Sequence, residues 1–222
     1  MAVLGVDGWR GAWVGALLDA RSVRLLALPD VAAVLAVPDV ELIAIDMPIG
    51  LSDDGPRACD IAARRLLGRA RSSVFPAPLR AVLGCANYAD ACAVSRTASG
   101  KALSVQAWNL VPSMRALDAA LDDVPPGHVL EVHPELAFRA LDDRVEAPKA
   151  SARGLAQRVR ALQPAMDVLD ALSAAPPGVP AVDALDACAA AWSAVRHLRG
   201  ASESFPATPE TFSDGIPAAI RV

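Results

Sequence analysis

The chain has 222 residues, 54% of them apolar, and a net charge of −4, which fits one domain with insertions and enough material for a full core. The acidic balance argues against a general nucleic-acid coat protein. No apolar run approaches the roughly 18 residues that cross a bilayer, so no membrane association is expected and the chain reads as soluble and cytoplasmic.

Residues 2–6 are small or β-branched and suit a central strand, which delivers Asp7 onto a turn containing Gly8 and Gly11. An Asp-Gly pair often does no more than cap a turn, but an acid at the end of a buried strand must be compensated by a cation or hydrogen bonds. Residues 13–18 and 23–28 read as two further strands, completing a three-stranded meander. Asp30 is placed to cap a short helix over 31–36 that ends near Pro38. A second apolar strand at 42–45 again ends in a single acid, Asp46, before a Pro-Gly loop.

From 56 to 121 the period is mostly helical. Pro56 suits a helix start, 59–67 supplies an amphipathic face, and Gly68 is a stop. The loop RARSSVFPAP gathers Arg69, Arg71, Ser72 and Ser73, whose polar groups are available to a ligand. Further helices are expected at 78–83, 88–98 and, after Pro112, 113–121, with Gln106 and Trp108 in the short piece between them. A strand returns at 129–133, where alternation puts Glu131 and His133 on one face; a solvated edge strand would show the same pattern as a functional one. Helical segments follow through 141, over 151–162 and over 166–174.

After PPGVP comes a long final helix, VDALDACAAAWSAVRHLRG, in which Asp183 and Asp186 lie about 60° apart around the axis. Acids there also suit the positive end of the helix dipole. The tail, 201–222, is loop-rich with a strand expected at 218–222. The four cysteines form no C-x-x-C pair and have no histidine at zinc spacing, so they are expected to be reduced and structural. Charge is uneven: residues 57–80 carry a local +5 and residues 144–160 a local +4, leaving the remainder at −13. Such islands are either solvated helix faces or surfaces for phosphates. Nine aromatic residues are poor material for a base-stacking platform.

The element order matches a ribonuclease H-like α/β fold: a mixed five-stranded sheet, built of a three-stranded antiparallel meander plus two parallel strands, flanked by helices. The expected layout is one domain over 1–222 with a helical insertion at about 56–125. Right-handed crossovers would make the strands ending in Asp7 and Asp46 neighbours, with the last helix bringing Asp183 and Asp186 to the same end. Carboxylates gathered in one pocket repel one another unless divalent cations sit between them. Two Mg²⁺ or Mn²⁺ ions roughly 4 Å apart could there bind a scissile phosphate and activate a water.

The motifs GVDGWRGAW, DMPIGL, RSSVFPAP, EVHPE and DALDA, in this order over nearly the whole chain, resemble the domain of unknown function 429 family, whose members are expected to be ribonuclease H-like nucleases. The resemblance implies acidic, metal-holding positions at Asp7, Asp46, Glu131 and Asp186, with Asp183 as a neighbour, and an arginine loop over 71–75.

The leading expectation is therefore a Mg²⁺- or Mn²⁺-dependent nuclease acting on a nucleic acid, with Arg57, Arg64, Arg71, Lys149 and Arg153 meeting phosphates. Ser72, Ser73 and His133 complete the substrate-binding set. Two alternatives belong to other classes: a nucleotide-binding protein of the actin-like and sugar-kinase type, and a catalytically inactive interaction module. The first needs two phosphate loops, and a single GVDG turn is present; a homodimer, the default oligomer, would have to supply the second lobe. A serine hydrolase built on Ser72 or Ser73 with His133 lacks the G-x-S-x-G elbow.

Overall fold

A computed structural model describes residues 1–222. The chain forms two compact units, the first made of residues 1–47, 123–203 and 221–222, the second of residues 48–122 and 204–220.

The first unit opens with strands β1 (Ala2–Trp9), β2 (Ala12–Asp19) and β3 (Ser22–Leu28), helix α1 (Val31–Leu35) and strand β4 (Val40–Ile45). The second unit supplies α2 (Ala58–Leu67), α3 (Tyr88–Ser99) and α4 (Val105–Leu121). The chain then returns to the first unit with β5 (Val129–Glu131), α5 (Pro134–Leu141), α6 (Ala152–Leu162), α7 (Val168–Ser173) and α8 (Ala181–Leu198). It finishes with β6 (Ser204–Thr211) and β7 (Pro217–Arg221).

The first unit holds a five-stranded sheet in the order β3-β2-β1-β4-β5. β1, β2 and β3 pair antiparallel, while β4 runs parallel to both β1 and β5. This is the mixed sheet expected from the sequence. The first turn lies further along than the glycines suggested: Asp7 and Gly8 stay in the ladder opposite Val14 and Trp13, and the reversal falls on Arg10 and Gly11. Both have positive φ, 50° and 81°, the geometry of a two-residue hairpin turn whose twist matches the strands it joins.

Helix α8 lies directly on this sheet, and one residue makes that possible. A Cβ added to Gly5 would stand 2.1 Å from both the carbonyl oxygen of Ala187 and the amide nitrogen of Ala191. The run of alanines on α8 completes the close approach, and Ala184, Ala187, Ala190, Ala191 and Ala194 are all fully buried. Burying small side chains in number stabilises by area, at about 25 cal/mol per Å² removed from water, while keeping helix and strand backbones near each other. Side-chain caps start several helices. As expected, Asp30 accepts from the amide of Ala33 at 2.8 Å at the start of α1; Ser151 likewise accepts from the amide of Gly154 at 3.0 Å at the start of α6.

Three features of the second unit differ from the sequence expectation. Helix α4 begins at Val105, capped by Ser104, and carries Pro112 inside it, so Gln106 and Trp108 are helical rather than connecting. Proline removes one intrahelical hydrogen bond, a loss that a 17-residue helix started by its own cap survives. The arginine loop is a 3₁₀ turn over Gly68–Ser73, and residues 80–84 form another in place of an α-helix. Finally, the tail is not loop-rich: β6 and β7 form a two-stranded sheet, so the second unit is more than an insertion of helices. No helix is long and apolar enough to cross a membrane.

Candidate functional site

The ladder decides which acids meet. Val3 pairs with Leu42 and Gly5 with Ala44, so the next residues in step are Asp7 and Asp46, and the amide of Asp46 donates to the carbonyl of Val6 at 2.9 Å. Side chains alternate along a strand, so Asp7 shares its face with Gly5, the residue on which α8 rests. The first turns of α8 accordingly bring Asp186 and Asp183 beside the two strand acids.

Each of these carboxyls is pushed above the ordinary carboxylate range. For Asp7 burial is the largest cause, and the charges of Asp46, Asp186 and, more weakly, Asp183 add to it against the pull of Lys149. For Asp46, burial and then Asp186 raise the value to about 7, with Lys149 opposing and Glu135 adding a further push. Asp183 is raised by burial against Lys149 and Arg10. Asp186 is raised by burial even though the Lys149 ammonium donates to its Oδ2 at 2.7 Å. Desolvation of a carboxyl only 1% exposed outweighs one ion pair with a lysine that is 47% exposed. Burial by itself would lower Lys149, but Asp186, with Asp7 and Asp46 beyond it, holds it up at about 12.

One atom of this group is unsatisfied. Asp186 Oδ1 is buried and accepts no hydrogen bond. A desolvated carboxylate oxygen without a partner costs about 1–3 kcal/mol or more, a cost that a cation or a donor would offset. The oxygens of Asp7, Asp46 and Asp186 are hard ligands of the kind that Mg²⁺ and Mn²⁺ take, so the residues present fit such an ion.

Two residues were not singled out by the sequence. Glu135, in the first turn of α5, acts on Asp46 and Asp186 by charge while Arg158 of α6 donates to both of its oxygens, at 2.6 and 2.8 Å. Arg158 itself is 2% exposed and lies with its guanidinium over the Phe138 ring, 5.1 Å from the centroid. The apolar context of Glu135 hid it, since the acid follows a proline at a helix start, where acids ordinarily serve the dipole.

Glu131 stands elsewhere. It pairs with Ile45, which pairs with Val6, so this row projects from the sheet face opposite to the Asp7 and Asp46 row. Glu131 is buried, and so is His133 at the start of α5, but the row parity keeps Glu131 apart from the α8 acids.

The phosphate contacts expected in the second unit divide in the same way. Arg57 is 2% exposed and buried in an ion pair with Asp60, donating also to the carbonyl of Ile49 at 3.0 Å, so it is a structural cation rather than a substrate contact. Arg64 is tied to the carbonyl of Val74. Arg71, Ser72 and Ser73 are exposed on the 3₁₀ turn, with the Ser73 hydroxyl donating to Ala70 at 2.9 Å. Lys149 and Arg153 belong to the first unit, with the acids.

The class defined here is an α/β protein with carboxylates gathered where two parallel strands end under a helix. The chain belongs to the family described as "Protein of unknown function (DUF429)", whose model matches residues 5–211. No curated protein and no solved structure matches it.

Proposed function

We propose that the first unit is a divalent-metal-dependent phosphodiesterase acting on nucleic acid, with Asp7, Asp46 and Asp186 as the metal-holding carboxylates and Asp183 at their edge. The observation that carries this reading is the convergence of these acids, all with raised pKa values, around a buried Asp186 oxygen that has no hydrogen-bond donor. Bound Mg²⁺ or Mn²⁺ would polarise the scissile phosphate and make a neighbouring water a better nucleophile.

The chain's own groups do the rest. Asp7 is fixed by the strand ladder and Asp46 by its amide bond to the Val6 carbonyl at the ladder's end, so little backbone freedom is lost when they take up an ion. Glu135 and Arg158 add a further negative charge and its counter-charge beside them. Lys149, half-exposed and paired with Asp186, brings to the cluster an ammonium of the kind that meets a phosphate oxygen.

The test is hydrolysis of single-stranded, double-stranded and branched oligonucleotides by the purified full chain with Mn²⁺ or Mg²⁺. Metal-dependent cleavage abolished by Asp7→Asn or Asp46→Asn is the expected result; cleavage that survives both substitutions would sink the mechanism.

A second reading has one observation behind it. The Lys149 ammonium already supplies a positive charge at 2.7 Å from Asp186, as it would in an inactive module that dispenses with metal. In that case thermal melting would be the same in Mn²⁺ and in EDTA.

A further inference from the structure

A basic groove runs along the solvent face of α6. One part, about 230 Å³, is lined by Arg144, Arg153, Gln157 and Arg160, and an adjoining part, about 690 Å³, by Arg139, Arg144 and Arg160. Four arginines face two aspartates, Asp142 and Asp143, across these two hollows. Arg144 is already committed to Asp142 through two hydrogen bonds of 2.8 and 3.0 Å, whereas Arg139, Arg153 and Arg160 present exposed side chains.

The groove is stiff. The Gln157 side chain accepts from the amide of Ala147 at 2.9 Å and donates to the carbonyl of Arg144 at 2.9 Å, which pins the preceding loop to the helix. Arg158 donates to the Ala147 carbonyl at 3.1 Å from the buried side of α6. Gly154 lets that loop seat itself, because a Cβ there would meet the Pro148 carbonyl oxygen at 2.1 Å. The same pinned loop carries Lys149, whose ammonium reaches Asp186, so one rigid segment joins the acid cluster at one end to the groove at the other.

We propose that this groove holds the sugar-phosphate backbone of a nucleic-acid strand whose scissile phosphate lies at the acid cluster. Arg153 and Arg160 are seven residues apart, about 10 Å along the helix axis, so they meet different phosphates of one strand. Cations set along a pinned helix and loop that track a polyanion release counterions on binding, which favours a polynucleotide over a mononucleotide. With few aromatic side chains available for stacking, recognition is of backbone charge rather than base identity. The assignment of the ligand rests on the phosphodiesterase reading, and binding measured without metal separates the two.

Binding of a fluorescein-labelled 20-nucleotide single strand to the full chain is followed by anisotropy in EDTA, from 50 to 300 mM salt, so that no cleavage is required. R153Q/R160Q is expected to weaken binding about tenfold at 100 mM salt and to reduce the log–log salt slope by between about 1 and 2, at roughly 0.7 for each phosphate of a single strand that is no longer neutralised. R153K/R160K, which keeps both charges, is expected to retain most of the slope. The control R24Q/R199Q removes the same charge at exposed positions elsewhere in the first unit. An unchanged slope in R153Q/R160Q, an equal fall in the control, a slope abolished in R153K/R160K, or equal affinity for poly-glutamate of similar length would each overturn the phosphate track. Metal-dependent hydrolysis is scored separately. Its absence alongside the expected slopes would remove the phosphodiesterase reading and leave the groove, while cleavage with unchanged slopes would do the reverse.

Discussion

Two settings for buried carboxylates in this molecule have opposite logic. In the second unit Asp60 receives Arg57 at 2.6 Å on one oxygen and the amide of Ala77 at 2.9 Å on the other, so both of its oxygens are engaged. In the first unit, of Asp7, Asp46, Asp183 and Asp186 only Asp186 receives the Lys149 ammonium directly, Arg10 and Arg158 act from farther off, and one Asp186 oxygen has no donor at all. The first arrangement is complete within the protein and holds it together. The second is not completed by the protein's own groups, and its cost is sustained by the rest of the fold; on the proposed reading a divalent cation would offset that cost.

The sharpest way to separate the two is substitution with opposite expected signs. Asp7→Asn or Asp46→Asn should lower metal-dependent hydrolysis by about a thousandfold, about 4 kcal/mol of barrier, and yet leave the metal-free protein as stable as before or more so, because a desolvated charge is removed. Kinetic assays paired with thermal melts in EDTA check both halves. Arg57→Ala should do the contrary. It leaves Asp60 buried and unmatched, at a cost of about 3–5 kcal/mol read by urea denaturation, and a variant as stable as the parent would break the comparison.

Metal and pH should act as substitutes for each other at the acid cluster. Mn²⁺ at a hundred times its dissociation constant should add about 2.7 kcal/mol to stability, seen as a rise in Tm that EDTA reverses. Without metal, the Asp46 carboxyl, at about 7 when folded and near 3.9 when unfolded, keeps its proton in the native state after the unfolded chain has released it. The contribution of this group to stability therefore falls as pH rises from about 4 to about 7 and is flat above that; Asp7 and Asp186 act in the same direction. Denaturant midpoints measured from about pH 4.5 to 8 should decline in EDTA and lose that decline in Mn²⁺. A midpoint that climbs with pH in EDTA would contradict it.

The smallest effect concerns Lys149, the cation hydrogen-bonded to the cluster. Lys149→Met should destabilise the metal-free protein by about 1 kcal/mol, a modest amount because the lysine is half-exposed and screened by solvent. Saturating Mn²⁺ should largely erase the difference, since the ion replaces the missing positive charge. A loss that is the same in Mn²⁺ and EDTA would place Lys149 outside the metal's reach.

Much of this was legible in the residues because the relevant physics is local. Strand periodicity located the meander, Asp30 announced its helix by a side-chain cap, and a single acid following each of two apolar runs marked Asp7 and Asp46. Asp183 and Asp186 followed from helical spacing. Pro112 misled, since a proline is favoured in the first turn of a helix and disfavoured inside one, and only the Ser104 cap farther back shows that the helix was already under way.

What the sequence by itself determined, then, is the order of the elements and the acids at their ends, each fixed by hydrogen bonds and apolar patterning within a few residues. Tertiary structure alone decided which acids share a face. The pairing of Ile45 with Glu131 is a register between strands more than 80 residues apart, and a shift of one position would have put Glu131 among the α8 acids and its neighbour outside them. The same holds for Lys149 and Asp186, 37 residues apart, and for Glu135 beside them: no local pattern encodes a meeting that depends on how α5 and α6 pack on α8 and α8 on the sheet.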